Sequence, residues 1–257
     1  MVWKAIARSS IGISHKKQQI PCQDYGEYRI LKNVIVGAVA DGAGSAKFAD
    51  IGAKLAVKTA LSYLWEFQKD KPYWQERCRP RSEQPVRKMF AKAVNKVVTA
   101  LQTEAANGGY SFQDLACTLL VFVATPHWVA AMQIGDGFIV VCSQQGNHQL
   151  LFPPDKGEFI NETTFVTSAN ALSEMQVCVL PGKQKFICAS TDGLERVAIH
   201  MSNWTPFPPF FKPLEEYLWE SSNPEQEDEY IRNFLESDKL NARTNDDKTL
   251  LLCLYNR

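Results

Sequence analysis

Apolar positions along this chain of 257 residues follow two periods in turn, and the switches between them mark out the elements. Residues 2–9 mix apolar and polar side chains in a way that fits a first strand. Residues 11–24 read as a polar connection carrying Ser14, His15, Lys16, Lys17 and Pro21. A short strand over 25–31 and a hairpin turn at Lys32-Asn33 lead into residues 34–40. That run is rich in Val and Ile and bounded by turn residues, so it reads as a buried strand. It ends abruptly in Asp41, with Gly42 and Gly44 close behind.

From residue 49 to 67 the period becomes helical. Ile51, Leu55, Ala56, Ala60, Leu61, Leu64 and Trp65 fall on one face, and Asp50 is placed to cap it. Residues 69–85 are charged and proline-bearing and read as a loop. A second helix is predicted over 86–106, with Met89, Phe90, Ala93, Val97 and Leu101 at helical spacing. Asn107-Gly108-Gly109 ends it with residues that tolerate a left-handed backbone. Short strands are then predicted over 117–123, 128–134, 138–142, 162–167, 176–180 and 185–189. An irregular stretch holds Pro206, Pro208, Pro209 and Pro213. Helical patterns over 214–221 and 227–235 and a closing apolar strand over 249–255 complete the chain.

This order predicts an α+β fold, with helices outside two antiparallel sheets packed face to face. No repeat, low-complexity tract or linker divides the sequence, so residues 1–257 read as a single domain.

Composition narrows the function. Lys+Arg and Asp+Glu both number 28, and a net charge of zero argues against a dedicated nucleic-acid binder. The seven cysteines are odd in number, lack a CxxC pair and mostly sit in apolar runs. They read as free, buried thiols of a reducing compartment. The N-terminal residues have no signal-peptide pattern, and no apolar run reaches the length of a membrane span, so a cytoplasmic protein is expected.

Four acidic sites share one arrangement. Asp41-Gly42 ends the strand 34–40, Asp136-Gly137 follows 128–134, Asp192-Gly193 follows 185–189, and Asp246-Asp247 precedes 249–255. Any one of them reads first as a turn. Together they place carboxylates beside buried strands, where convergence would be repulsive without positive charge among them. An all-oxygen donor set of this kind suits hard divalent cations, Mg²⁺ or Mn²⁺. His127, His148 and His200 have no zinc-ligand spacing.

Asp41-Gly42-Ala43-Gly44, Gly135-Asp136, Ser190-Thr191-Asp192-Gly193-Leu194 and Asp246-Asp247-Lys248-Thr249, with Gln23-Asp24 before them, resemble the ordered motifs of the metal-dependent Ser/Thr protein phosphatases (PPM, or type 2C). Ser14-His15 and Pro21-Cys22-Gln23-Asp24 look most like a prokaryotic branch. The resemblance implies a four-layer αββα sandwich with a two-metal centre at one end of its sheets. Asp41 would bridge both ions, the Gly42 carbonyl would bind the first, and Asp192 and Asp246 the second. Asp136 matches the position of a third, looser ion, and Asp24 would stand behind the ligands and orient water. The implied chemistry is direct attack of a metal-bridging hydroxide on phosphoserine or phosphothreonine in proteins, partnered by a Ser/Thr kinase.

The sequence departs from that pattern at several points. Gln19 stands where animal members have a phosphate-binding arginine. His15, Lys16 or Lys17 could supply that charge, or could be solvated loop residues. Ala43 replaces a histidine of the animal enzymes, Gly137-Phe138 follow Asp136 in place of Ser-Arg, and Asp247 replaces Asn. Lys47 could offset the charge of Asp247 or lie on the surface. The alternative reading is a weak or inactive phosphatase-like module that binds phosphoproteins. A metal-dependent phosphodiesterase or nuclease fits the neutral charge less well.

Overall fold

The computed structural model describes residues 2–70, 82–152 and 163–256. Along the chain lie β1 (Val2–Ser10), α1 (Ile13–Gln18), β2 (Tyr25–Leu31), β3 (Val34–Ala40), α2 (Ala49–Asp70) and α3 (Glu83–Gly108). Next come β4 (Leu119–Ala124), β5 (Trp128–Ile134), β6 (Phe138–Ser143), β7 (His148–Leu150), α4 (Ala171–Glu174), β8 (Gln176–Pro181) and β9 (Gln184–Ser190). Then α5 (Glu195–Ala198) precedes the two-residue strands β10 (Ile199–His200) and β11 (Thr205–Pro206). The chain ends with α6 (Pro208–Glu220), α7 (Glu229–Glu236), α8 (Asp238–Asn241) and β12 (Lys248–Asn256).

Two five-stranded antiparallel sheets, ordered β2-β3-β4-β5-β8 and β1-β12-β9-β6-β7, form the centre. Their inner strands are continuously apolar because both faces are covered. In β3, Val36, Ala38 and Ala40 face one way, into a core with Ala56, Leu61, Phe90 and Val97 of α2 and α3. Ile35 and Val39 face the other way and meet the second sheet. The same alternation splits β12. Leu251, Cys253 and Tyr255 join the core between the sheets, while Leu250, Leu252 and Leu254 pack on Phe211, Leu214 and Ile231 of α6 and α7. The result is the predicted four-layer sandwich. Each fully buried Leu contributes about 1.5–3 kcal/mol, so the three cores hold the layers together.

Register places the strand ends. Tyr25 pairs with Ala40, Val39 with Leu120, and Leu119 with Ile134. Residues one or two steps beyond these pairs, Asp24, Asp41, Thr118 and Asp136, therefore gather at one end of the first sheet. In the second sheet Ser190 pairs with both Phe138 and Leu250, which brings Thr191 and Asp192 to the same end.

Several elements differ from expectation. Residues 11–24 contain α1, a helix too short to show periodicity and with no buried residue; it ends in Gln19 at φ 56°. The strand predicted over 117–123 begins at Leu119, because Cys117 makes only an isolated bridge to Gly42 and Thr118 bonds to Asp41. Described residues of the 162–167 stretch form no strand. Val166 donates one backbone bond to Cys117 and is buried as a single side chain. Strand β7 was not expected. The proline-rich stretch is the start of α6, with Pro208 and Pro209 at its first positions, where no N–H is needed, and Pro213 inside. Pro85 likewise sits in the first turn of α3; most of the predicted loop there, residues 71–81, lies outside the described residues.

Candidate metal centre

Asp41 begins where β3 runs out, and a threonine fixes it. Its N–H donates to Thr118 Oγ1 at 2.9 Å, and its carbonyl accepts from the Thr118 N–H at 2.8 Å. Gly42 is buried and donates its N–H to the Gln23 carbonyl at 3.1 Å, which aligns the Gln23-Asp24 segment with it. Asp136 occupies the turn between β5 and β6. Gly135 and Gly137 flank it at φ +87° and +103°, a backbone that side chains rarely adopt. Asp192 opens a single helical turn after β9. A Cβ on the neighbouring Gly193 would collide with the Asp247 carbonyl, so only glycine allows the two loops this approach.

The three carboxylates of Asp41, Asp136 and Asp192 each present an oxygen within 4.8 Å of the others. Thr163 Oγ1 donates to Asp136 Oδ2 at 2.8 Å. Asp24 lies beside Asp41 and is 5% exposed. Its Oδ2 accepts from Thr191 Oγ1 at 2.6 Å, while Oδ1 meets no donor among the described residues and the carboxyl faces that of Asp41. Thr191 Oγ1 in turn accepts from the Thr249 N–H at 3.0 Å, which ties Asp24 to the second sheet.

Electrostatics strain this group. Burial pushes Asp24 up to about 7 against the pull of the Thr191 hydrogen bond. Burial, then the charges of Asp136 and Asp246, push Asp192 up to about 8. Burial and the neighbouring Asp24 and Asp192 hold Asp41 well above the carboxylate range. Such carboxylates ionise together only with compensating positive charge. The ammonium of buried Lys248 is nearby, but it donates to Asn241 Oδ1 and the Asp246 carbonyl, at 3.1 and 3.3 Å. An all-oxygen, over-acidic donor set with an orphaned buried oxygen fits a hard divalent cation.

Asp246 stands apart from the three. It is exposed, accepts the Asp247 N–H at 2.9 Å, and lines a cavity of about 480 Å³ together with Asp192. Asp247 is 2% exposed and fully engaged. Its Oδ1 accepts from Gly12 N–H and its Oδ2 from Gln23 N–H, both at 2.6 Å, and His15 Nδ1 donates to Oδ2 at 2.9 Å. So Asp247 clamps the α1 segment to the start of β12, and His15 belongs to that clamp. Lys16, Lys17 and Gln19 are exposed. Lys47 is exposed with its ammonium over the Phe48 ring.

A second set of ligand-type side chains, Cys142, His148 and Glu215, also converges within 4.8 Å. Here His148 Nε2 lies 2.7 Å from Glu215 Oε1 and Lys185 Nζ lies 2.8 Å from Oε2. Burial works to raise the Glu215 carboxyl, but the bonds from His148 and Lys185 prevail and hold it below its usual value.

Sequence patterns did not single out Thr118 or Thr163. Thr191 did lie inside a quoted motif, where its hydroxyl was the available signal.

The profile of a family described as Protein phosphatase 2C matches residues 11–236. The chain belongs to the protein phosphatase 2C family. Across 266 aligned residues it is 34% identical to Serine/threonine-protein phosphatase 3 of Escherichia coli (strain K12), covering 99% of both chains. Its fold is similar to that of an S. agalactiae serine/threonine phosphatase, at a TM-score of 0.63 and 15% identity, covering 99% of this chain and 100% of that one. It is similar also to RsbX, solved in complex with magnesium, at a TM-score of 0.57 and 12% identity, covering 99% and 96%. The end of the sandwich at which the acidic residues gather is thus set in a protein phosphatase 2C fold. Among the described residues no helix is long and apolar enough to cross a membrane.

Proposed function

We propose that the chain is one phosphatase domain that hydrolyses phosphoserine and phosphothreonine in proteins with the help of Mg²⁺ or Mn²⁺. The observation that carries this reading is the carboxylate group of Asp41, Asp136 and Asp192, with oxygens within 4.8 Å and charges that oppose one another. The names of the E. coli relative and of the magnesium complex of RsbX agree with it. Asp41, Asp136 and Asp192 would hold the cations, with Asp246 on the cavity side and the Gly42 carbonyl completing the set. When bound, divalent cations lower the pKa of water and draw charge from a phosphoryl oxygen.

The chain's own residues do the rest. Thr118 fixes the Asp41 backbone, so the carboxylate does not have to reorganise. Thr191 holds Asp24 by one oxygen beside Asp41, where its carboxyl would orient the attacking water. Ala43 offers no acid for the leaving oxygen, so protonation falls to solvent. The substrates imply a Ser/Thr kinase that supplies them.

Hydrolysis of p-nitrophenyl phosphate and of a phosphothreonine peptide, with Mn²⁺, Mg²⁺ or chelator, tests the proposal. Both substrates should turn over only with the ion. Turnover that survives complete chelation would overturn it, and phosphopeptide binding without turnover would favour the regulatory module.

A further inference from the structure

Two cavities share a wall at the end of the sandwich. The first, of about 480 Å³, is lined by Asp192 and Asp246 with Ser14 and Thr244. The second, of about 550 Å³, is mainly apolar, walled by Phe207, Phe210, Tyr230 and Phe234, with His200 and Lys239 also in its lining. Arg196, Val197 and Arg243 line both. Arg196 lies in α5, just after Asp192, and Arg243 follows α8, just before Asp246. Both arginines are exposed, and neither side chain hydrogen-bonds or ion-pairs with a described residue.

Two uncommitted guanidinium groups beside an acidic site serve a purpose that the acidic residues cannot. A phosphate ester carries about −1.5 to −2 charge at neutral pH and is repelled by carboxylates. Arginine meets phosphate oxygens with two parallel donors, which lysine cannot do. No arginine stands at Gln19. A small anion would account for the arginines alone. It would leave unexplained the hollow behind them, where Phe207 is 37% and Tyr230 45% exposed.

Resting on the phosphatase reading, we propose that Arg196 and Arg243 grip the substrate phosphate and that the adjoining hollow takes a large apolar side chain of the same polypeptide. The preferred substrate is a phosphopeptide with an aromatic or aliphatic residue close to the phosphoresidue. Three extended residues cover about 10 Å, enough to pass an arginine side chain from one cavity to the next.

The test walks a single Phe from three places before to three places after phosphothreonine in an alanine peptide, with Mn²⁺ present. One or two placements should raise kcat/KM at least about tenfold over the all-alanine peptide. In Phe207→Ala or Tyr230→Ala protein that advantage should shrink to below about threefold. Arg196→Ala and Arg243→Ala should raise KM for every phosphopeptide about tenfold more than they lower kcat, with Arg196→Lys recovering only part. Equal rates at every placement would overturn the proposal, as would a dimer that Phe207→Ala dissociates, since a second copy would then own the hollow. Should wild-type protein hydrolyse nothing, the phosphatase reading fails separately. Fluorescence anisotropy of the same peptides then decides the subsite by the same ratio.

Discussion

At Glu215 the acidic charge is met as it is buried, by His148 on one oxygen and Lys185 on the other. At Asp41 and Asp192 it is not, and each neighbouring carboxylate makes the next harder to ionise. Both places gather ligand-type side chains within 4.8 Å. Proximity alone therefore does not mark a functional site. What separates them is whether the protein itself neutralises the group, and Asp247 belongs with Glu215 in this respect, because three donors converge on it.

The comparison can be broken most sharply by removing one charge from each cluster. Asp41→Asn should lower kcat/KM about a thousandfold with saturating Mn²⁺, the loss expected when several kcal/mol of metal-derived stabilisation go. Glu215→Gln should leave kcat/KM within about threefold of wild type. Similar losses in both would erase the distinction.

Asp247→Asn tests whether that residue is structural. Its amide would point an N–H at an N–H of Gly12 or Gln23, costing about 1.5–3 kcal/mol of unfolding free energy in urea. A variant as stable as wild type would show that the clamp is not needed.

Thr191→Val leaves the shape and removes the bond to Asp24. The apparent Mn²⁺ affinity should fall about 10- to 100-fold, as for other partners of a metal site. Activity titrated against Mn²⁺ measures it.

The smallest effect, and the most specific, is one of sign. In chelator-treated protein Asp24 and Asp192, raised to about 7 and 8, hold protons in the folded state that the unfolded chain has lost. Their contribution to stability therefore falls as pH rises from about 4 to 8. Glu215 is lowered when folded. Its contribution is present above its unfolded pKa of about 4.3 and is lost as pH falls through the folded value. Thermal unfolding with chelator should give a higher Tm at pH 5.5 than at pH 8, and Mn²⁺ should restore more at pH 8. A Tm that climbs steadily to pH 8 with chelator present would mean that the acidic cluster is under no strain.

The layers were legible because β3, β4, β9 and β12 are apolar on both faces, and α2 and α3 carry long helical stripes. The ends of these elements were less so. Pro208 and Pro209 look like breakers in a sequence, yet a helix's first turn needs no N–H from them. Val166 looks like strand because burial and strand pairing leave the same apolar mark. Among site residues the aspartates stood out by their glycine neighbours. The threonines that hold them did not, because a hydroxyl's role depends on which distant strand end it meets. Nor did His15 reveal its partner, which lies at the other end of the chain.

The acidic residues arrive from both leaves of the sandwich, Asp24 and Asp41 from one, Asp192 and Asp246 from the other, with Asp136 at the crossover between them. An ion seated there would rivet the leaves at their open edge and join segments from the beginning and end of the polypeptide. Cation release and parting of that edge would then be a single event, first visible as new protease cuts near Asp24 and Asp246.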